Sequence, residues 1–359
     1  MAKELWKGNE AIAEAAIRGG CDCYFGYPIT PQSEVPEYMS LHMPEHGKVF
    51  VQAESELAAI NMVYGAAASG MRAMTSSSSP GVALKQEGIS YIATCELPCV
   101  IVNCMRGGPG LGTIQPSQSD YFQATRGGGN GDYRLIVLAP ASVQEMHDFV
   151  ALGFDLAFKY RNPAMILADG AIGQMMEKVV LAPQRPRKTD EEIAAECRSW
   201  ATYGKPADRK RNIVTSLELQ SEKMEIINKR LQEKYKALEE NEVRYEEIGC
   251  DDADYVIVAF GSSARICSAT VEMARAEGLK VGLLRPITLY PFPKKPLAEL
   301  AARGVKGFLS AELNAGQMVE DVRLAVNGVA PVEHFGRQGG MMFAPDEVLA
   351  ALKEKLIKK

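Results

Sequence analysis

The feature that most constrains the fold is an alternation of short apolar runs with helical stretches in the first half of the chain. Strands are predicted at residues 23–27, 48–52, 72–76, 99–104, 134–138 and 164–168, and helices between them include 56–69, 80–93 and 143–160. Strands that alternate with helices form a mostly parallel sheet covered on both faces. The sequence therefore predicts an α/β domain over residues 1–182, which opens with an amphipathic helix in the first 20 residues.

The composition changes after residue 182. Residues 183–211 are rich in proline, lysine and arginine, which indicates an extended connector. Residues 216–247 are highly charged with apolar side chains near helical spacing, and predict a long one-sided helix that packs on the first domain or on a partner. Strands at 254–260, 280–284 and 306–311 and helices at 263–277, 319–327 and 345–358 then predict a second α/β domain. The predicted division is 1–182, a connector at 183–250, and 251–359.

Charge, hydropathy and cysteine spacing exclude several classes of protein. The 359 residues carry a net charge of −5, so the chain lacks the basic excess that nucleic-acid binding requires. No apolar run approaches the ~18 residues of a membrane span, and the charged N-terminus does not resemble a signal peptide, so a cytoplasmic location is expected. The eight cysteines include no C-x-x-C pair. Any iron–sulfur cluster is therefore expected on another chain.

Polar loops rich in glycine and proline follow the predicted strands. They are YPITP at 27–31, ESE at 54–56, SSSSPG at 76–81 and RGGPGLG at 106–112, while GGGNG at 127–131 precedes the fifth strand. Ligands of parallel α/β sheets bind beyond the carboxyl ends of the strands, and such loops allow the backbone to approach a ligand closely. The sequence predicts a binding site at this edge.

The residue types in these loops narrow the chemistry. No G-x-x-x-x-G-K-[ST] segment is present, and no G-x-G-x-x-G lies between the first strand and its helix. The four histidines lie outside the loops, and no metal ligands are predicted in this chain. A carboxylate, an arginine, hydroxyls and backbone amides remain. This set suits an anionic substrate and a cofactor that carries the demanding chemistry.

The same segments, taken in order, resemble the 2-oxoacid:ferredoxin oxidoreductases. YPITP at 27–31 resembles the opening signature of that family, and QAESE at 52–56 with VYGA at 63–66 resembles its thiamine-contacting glutamate helix. The other matching segments are SSPG at 78–81, ELP at 96–98, RGGP at 106–109, QSD at 118–120, LRP at 284–286, LYPFP at 289–293 and E-x-N-x-GQM at 312–318. The resemblance covers essentially the whole chain and is strongest to the 3-methyl-2-oxobutanoate (ketoisovalerate) enzymes, with the 2-oxoglutarate enzymes close behind.

The resemblance implies a pyrimidine domain of the thiamine-diphosphate-binding fold, followed by a transketolase C-terminal-like α/β domain. It also implies the CoA-dependent oxidative decarboxylation of a branched-chain 2-oxoacid to acyl-CoA, CO₂ and reduced ferredoxin. Three alternatives stay open: a 2-oxoglutarate enzyme, a transketolase- or decarboxylase-type half without ferredoxin chemistry, and a paralogue that serves only in assembly.

Site residues carry over position by position. Glu56 would hydrogen-bond N1′ of the thiamine aminopyrimidine and favour its imino tautomer, and Glu54 is the competitor for that role. Thr30 and Arg106 would bind the substrate carboxylate. The cofactor-binding residues implied in addition to Glu56 are Tyr27, Pro28, Ile29 and Ser78.

One half of the usual cofactor site is missing. Thiamine enzymes hold the diphosphate through Mg²⁺ on a Gly-Asp-Gly motif with a following asparagine. The nearest fragments here, ADG at 168–170 and GD at 131–132, lack that asparagine. The resemblance therefore implies that thiamine diphosphate is shared with a thiamine-diphosphate-binding subunit. Mg²⁺ and [4Fe–4S] clusters are expected on partner chains that include a gamma-type and a ferredoxin-like subunit, with CoA as co-substrate and ferredoxin as electron acceptor.

The tail of the substrate either carries a second carboxylate or is aliphatic. A second carboxylate, as in 2-oxoglutarate, needs its own cationic partner. Lys85, Arg126 and Arg134 are the basic residues near the predicted loops, and Arg126 is the most plausible of them. The sequence therefore favours a branched aliphatic tail.

Overall fold

A computed structural model describes residues 3–358 as two α/β units. The strands are Glu4–Lys7 (β1), Cys23–Gly26 (β2), Val49–Gln52 (β3), Ala73–Ser77 (β4), Cys99–Met105 (β5), Ile136–Leu138 (β6), Ala164–Asp169 (β7), Met176–Val179 (β8), Tyr245–Ile248 (β9), Tyr255–Val258 (β10), Val281–Pro286 (β11), Thr288–Tyr290 (β12), Gly307–Glu312 (β13) and Val332–Gly336 (β14). The helices are Gly8–Arg18 (α1), Glu34–Glu45 (α2), Glu56–Ala68 (α3), Ser79–Thr94 (α4), Tyr121–Arg126 (α5), Val143–Tyr160 (α6), Gly170–Gln174 (α7), Asp190–Glu196 (α8), Ser221–Asn241 (α9), Gly261–Ala276 (α10), Lys294–Ala302 (α11), Met318–Val326 (α12) and Pro345–Leu352 (α13), which continues as a π-helical turn over Lys353–Ile357.

The first unit is built on a seven-stranded sheet in the order β12-β6-β7-β5-β4-β2-β3. All neighbouring pairs are parallel except β12 with β6. The six strands predicted in residues 1–182 are β2 to β7, and the three predicted helices are α3, α4 and α6, so the expected parallel α/β architecture is confirmed. Serine hydroxyls mark two helix starts, because Ser55 accepts from Ala58 N (3.2 Å) and Ser142 from Glu145 N (3.1 Å).

The second unit is a five-stranded sheet in the order β14-β13-β10-β11-β9. The three predicted strands are confirmed as β10, β11 and β13, and α10, α12 and α13 lie where helices were expected. Strand β9 lies at the edge of this sheet opposite β14 and pairs antiparallel with β11. Strand β12 belongs instead to the first sheet, where it pairs antiparallel with β6. The domain limits at residues 182/183 and 250/251 stay a prediction. No helix within residues 3–358 is long and apolar enough to cross a membrane.

Two sequence-based expectations about residues 1–211 need correction. The first 20 residues are not one helix, because residues 4–7 form β1, which pairs antiparallel with β8, and α1 begins only at Gly8. The expected extended connector contains a short helix, α8, which Thr189 begins with a capping box. Both differences arise from partners that periodicity does not reveal, namely a distant strand and a local capping interaction.

The charged helix of the connector is shorter than expected. It runs over α9 and ends before β9, which occupies the last part of the predicted range 216–247. Its buried face carries Leu231, Tyr235 and Leu238, which pack with Ile136 and Leu156 of the first unit. Of the two alternatives left open by the sequence, the structure shows the helix on the first unit.

A buried glutamine joins the two units. Gln118, in the loop before α5, is fully buried and donates from Nε2 to the Phe260 carbonyl (2.8 Å), while its Oε1 accepts from Ser263 Oγ (2.6 Å) and Leu313 N (3.2 Å). Its backbone N–H donates to the Leu313 carbonyl (3.0 Å), and its own carbonyl accepts from Asn314 Nδ2 (2.8 Å). The QSD segment therefore fixes the position of the second unit against the first.

We expect Gln118→Ala to destabilise the folded chain by about 2 kcal/mol or more, because it leaves the buried Leu313 N–H and the buried Ser263 hydroxyl without a partner. Urea unfolding followed by circular dichroism measures this loss. The matched control is Gln220→Ala, since Gln220 is exposed and its side chain does not cap α9. Equal stability of the two variants would contradict the role assigned to Gln118.

Candidate active site

The loops that follow β2, β3, β4 and β5 meet at one edge of the first sheet, since these four strands are neighbours. Arg106, directly after β5, donates from Nη1 to the Thr30 carbonyl (2.8 Å) in the loop after β2. Its backbone N–H donates to Ser79 Oγ (3.0 Å) at the start of α4. The structure therefore brings the predicted substrate residues and the serine loop together.

Glu56 and Glu54 lie in different environments. Glu56 is the first residue of α3 and is only 6% exposed, whereas Glu54 lies in the preceding loop and is exposed. The side chain of Glu56 points at Gly81 on α4, because a Cβ atom on Gly81 would lie 2.5 Å from Glu56 Oε1. The same position would be 2.2 Å from Ser77 Oγ. The buried carboxylate thus occupies space that only a glycine at residue 81 leaves free.

Two serine hydroxyls at the end of β4 have no partner in the described part of the chain. Ser77 and Ser78 are fully buried, and the Oγ atom of each makes no hydrogen bond within residues 3–358. A buried hydroxyl without a partner costs about 1–3 kcal/mol. Ser77 Oγ lies near Glu56 Oε1, since both would contact a Cβ atom on Gly81, so the carboxylate and the serine hydroxyls form a buried polar cluster with unused hydrogen-bonding capacity.

A buried lysine lies on the same face of α4 as Gly81, and sequence reasoning did not assign it to the site. Lys85 is fully buried and its Nζ donates to Thr75 Oγ1 on β4 (2.7 Å). Burial lowers the pKa of Lys85 to about 7, while attraction by Glu56 opposes this effect. The four-residue spacing from Gly81 was the signal in the sequence, since residues i and i+4 share a helix face.

The remaining predicted residues form the rim. Arg106 is nearly buried and donates from Nη2 to the Leu111 carbonyl (2.9 Å), while its Nε has no partner within residues 3–358. A guanidinium has five N–H donors, so Arg106 retains donors for an anionic ligand. Thr30, Tyr27 and Pro28 are exposed and Ile29 is half-buried.

A cleft of about 470 Å³ opens beside this rim, between the two units. Asp120 lines it, and burial raises the pKa of the Asp120 carboxyl, opposed by hydrogen bonds from Ser79 and Asn103. The other residues that line the cleft are Ser79, Pro80, Ala83, Gly108, Pro109, Gly110, Ser117, Ser119, Gln123, Asn314, Ala315, Gln317, Gln338 and Gly339. Asp120 was quoted from the sequence without a role, and its burial became visible only in the fold.

The glycine segment at 127–131 does not join these loops. The backbone N–H groups of Gly128 and Gly129 donate to the Tyr133 hydroxyl (3.2 and 3.0 Å), and Asn130 accepts from Ser90 Oγ (3.2 Å). The segment precedes β6, so it belongs to the amino end of a strand and not to the carboxyl edge. Its glycines allow the backbone of this segment to pack closely against neighbouring residues.

The Asp-Gly fragment at 169–170 has a structural role. Asp169 Oδ1 accepts from Ala171 N (2.9 Å) and Ile172 N (3.2 Å) and so caps α7, while Oδ2 accepts from Ser262 Oγ (2.6 Å) in the second unit. Within residues 3–358 no group of histidine, cysteine, aspartate and glutamate side chains is arranged to hold a metal ion.

Solved structures define the class to which this architecture belongs. The 2-oxoglutarate:ferredoxin oxidoreductase of Magnetococcus marinus, solved with 2-oxoglutarate, coenzyme A and succinyl-CoA bound, superimposes on 98% of this chain with a TM-score of 0.83 at 27% identity. The chain spans 65% of that longer polypeptide. A split-gene transketolase, as an inactive β4 tetramer, shares the fold with a TM-score of 0.61 at 15% identity over 98% of both chains. The architecture is that of the thiamine diphosphate enzymes.

Family models and curated relatives narrow this class. Residues 14–246 match the thiamine-diphosphate-binding domain of the pyruvate flavodoxin/ferredoxin oxidoreductases, and residues 253–348 match core domain II of pyruvate:ferredoxin oxidoreductase. The chain belongs to the 2-oxoacid:ferredoxin oxidoreductase family, as a subunit that carries the pyrimidine domain.

Two relatives bear on the substrate. The ketoisovalerate oxidoreductase subunit VorB of Methanothermobacter thermautotrophicus is 53% identical, over 99% of this chain and 98% of its own length. The 2-oxoglutarate synthase subunit KorA of Methanothermobacter marburgensis is 38% identical, over 97% of this chain and 98% of its own length.

We expect Gly81→Ala to displace the Glu56 side chain, because the added methyl group would overlap Glu56 Oε1 and Ser77 Oγ. Overpacking of this kind costs about 1–3 kcal/mol of stability, and turnover of the assembled enzyme should fall with it. The matched control is Gly65→Ala on α3, where a Cβ atom would meet nothing within 4 Å. Thermal unfolding and turnover are measured for both variants, and an active, stable Gly81→Ala enzyme would show that the close packing of Glu56 on Gly81 is not needed.

Proposed function

We propose that this chain is the pyrimidine-binding subunit of a ketoisovalerate:ferredoxin oxidoreductase, and that Glu56 contacts the aminopyrimidine ring of thiamine diphosphate. The observation that carries the proposal is the burial of the Glu56 carboxylate near Ser77, where the hydroxyls of Ser77 and Ser78 have no partner within residues 3–358. A buried charge and unpaired hydroxyls are costly without a ligand. A ring with nitrogen atoms and an amino group supplies the missing partners.

The bound cofactor supplies the electron sink that decarboxylation of a 2-oxoacid requires. The task of this chain is then to hold a proton at N1′ of the ring through Glu56, and to exclude water from that contact through the packing of α3 on α4. Ser78 is fully buried directly after β4, and Tyr27, Pro28 and Ile29 lie at the rim, where they would offer surface to the ring.

Arg106 and Thr30 would bind the carboxylate that all 2-oxoacids share. The Arg106 guanidinium is held by the Thr30 and Leu111 carbonyls, so its orientation is set before a ligand arrives. Its unused N–H donors can pair with a carboxylate, and the exposed Thr30 hydroxyl lies at the same rim. Preorganisation of this kind lowers the entropic cost of binding.

The side-chain contacts favour an aliphatic substrate tail. Arg126 is already paired with Glu320 (2.9 Å) and Asp321 (3.4 Å) of the second unit. Arg134 donates to the Thr125 carbonyl (3.2 Å). Lys85 is buried on α4, so the three basic residues considered for a second carboxylate are engaged elsewhere. The higher identity to the ketoisovalerate subunit than to the 2-oxoglutarate subunit supports the same choice.

The other half of the site would lie on partner chains. Large apolar side chains are exposed around the rim, and exposed apolar clusters are typical of protein interfaces. They are Leu57, Leu84, Leu111 and Ile114. We infer that a thiamine-diphosphate-binding subunit covers this rim and brings the diphosphate and Mg²⁺. A gamma-type and a ferredoxin-like subunit would complete the enzyme, with [4Fe–4S] clusters outside this chain, CoA as co-substrate and ferredoxin as electron acceptor.

We expect Glu56→Gln to lower the turnover of the assembled enzyme by about 10²-fold or more, the size of effect expected when a proton-transfer contact is lost. The control is Glu54→Gln, which should retain most activity because Glu54 is exposed. Turnover is followed as reduction of ferredoxin with saturating 2-oxoacid and CoA. If Glu54→Gln were the inactive variant, the assignment would have to move by two residues.

Substrate choice provides a separate test. Without a cationic partner for a second carboxylate, kcat/KM for 3-methyl-2-oxobutanoate should exceed that for 2-oxoglutarate by about tenfold or more. Arg126→Ala should leave this ratio unchanged, because Arg126 is engaged with Glu320 and Asp321. A preference for 2-oxoglutarate that Arg126→Ala abolishes would establish the alternative assignment.

A further inference from the structure

A pocket of about 420 Å³ lies at the edge of the first sheet opposite the candidate active site. Its lining residues Asp22, Lys48 and Arg72 directly precede β2, β3 and β4, so the pocket lies beyond the amino ends of these neighbouring strands. Residues 185–188 of the connector and part of α8 form another part of its wall. The pocket shares no lining residue with the interdomain cleft.

Positive side chains outnumber negative ones in this pocket. Its carboxylates are already engaged, since Glu196 pairs with Lys188 and the Glu192 side chain accepts a backbone N–H at the start of α8 (2.7 Å). Asp22 Oδ2 accepts from Arg72 N (2.9 Å). The basic composition of the connector contributes to the excess of positive charge. The cations that line the pocket are Lys48, Arg72, Arg185, Arg187 and Lys188.

Two of these cations form no ion pair within residues 3–358. Lys48 is only 8% exposed, and its Nζ donates to a backbone carbonyl at the end of α1 (2.7 Å). Arg187 Nη1 donates to the Gly47 carbonyl (2.6 Å) after α2. Burial lowers the pKa of Lys48, Asp22 opposes this effect, and the nearby charges of Arg187 and Arg72 add to it. Because a buried cation without an ion-pair partner is costly, this group of charges favours an anion in the pocket.

The guanidinium group of Arg72 is held in a fixed orientation. Its Nη1 donates to the Gly19 carbonyl (3.2 Å), and the group lies over the Phe158 ring, 5.0 Å from the ring centroid. Arg72 Nη2 is 3.5 Å from Asp155 Oδ1. Arg185 donates two hydrogen bonds to the same Asp155 carboxylate (2.6 and 2.7 Å) and so fixes the connector beside Arg72. Donors that are fixed before a ligand arrives lower the entropic cost of binding.

We propose that this pocket is a second binding site of the chain, for a small molecule that carries a phosphate or diphosphate group. Arg72 and Arg187 offer planar guanidinium groups that can bind phosphate oxygens in pairs, and Lys48 adds a point charge. Phe158 and Ile193 give the pocket apolar surface for the rest of the ligand. A volume of about 420 Å³ lies within the usual range of small-molecule sites.

Isothermal titration calorimetry of the full chain tests this proposal, with inorganic pyrophosphate and ADP as separate probes at physiological ionic strength. We expect binding at one site with a dissociation constant below about 1 mM. Tighter binding of ADP would assign the site to organic phosphate esters that use the apolar surface. Equal or tighter binding of pyrophosphate would assign it to the free diphosphate group. Failure of both probes to bind would overturn the proposal.

Variants of the two unpaired cations locate the binding. Arg187→Ala should weaken binding of the better probe by about tenfold or more, because a charge-assisted hydrogen bond to the anion is lost. Lys48→Met should weaken it by a similar factor. Arg187 is exposed, so its variant keeps the test valid even if Lys48→Met does not fold.

The matched control is Arg211→Ala, which removes the same charge from an exposed position of the connector outside the pocket. This variant should bind the probe as the wild type does. Unchanged binding by Arg187→Ala, or an equal loss of affinity in Arg211→Ala, would overturn the assignment to this pocket.

Glu56→Gln separates this site from the candidate active site. It should bind the probe with unchanged affinity, because the pocket lies at the opposite edge of the sheet. A loss of affinity in Glu56→Gln that Arg187→Ala does not share would place the probe in the candidate active site and overturn the proposal.

Discussion

The close approach of α3 and α4 is the constraint on which the burial of Glu56 depends. Two glycines on one face of α4 permit it: a Cβ atom on Gly81 would lie 2.5 Å from Glu56 Oε1, and one on Gly88 would lie 2.6 Å from Ile60 Cγ2. Protein interiors are packed too densely to absorb such overlaps. Larger residues at either position would separate the helices, and Glu56 would then lose its burial.

The second unit positions the site without supplying its central charges. The segment at 312–318, which resembles a family signature, serves structure here: the Glu312 carboxylate accepts from the N–H groups of Gln317, Met318 and Val319 and so caps α12. Asn314 binds the Gln118 carbonyl (2.8 Å). A buried carboxylate at a helix N-terminus is favourable because the unpaired N–H groups there carry partial positive charge. These contacts hold the loops that form one wall of the interdomain cleft.

Sequence reasoning located the main strands and the loops after them, because buried parallel strands are continuous apolar runs whose carboxyl ends share one edge. It did not find β9, β12 or β14, which lie at sheet edges and are short. It also overestimated the first helix, since residues 4–7 pair with β8. Edge strands depend on a distant partner for their hydrogen bonds, and no local pattern identifies that partner.

In the candidate site, too, some features follow from the sequence and others only from the tertiary structure. The sequence by itself determined which residue types follow each strand, and therefore that Thr30, Glu56 and Arg106 belong to one edge. Only the tertiary structure decided that Glu56 is buried while Glu54 is exposed, that Lys85 is buried against Thr75, and that Arg126 is engaged by the second unit. Burial and charge pairing are properties of contacts between distant segments. They arise only when helix packing and the docking of the two units bring those segments together.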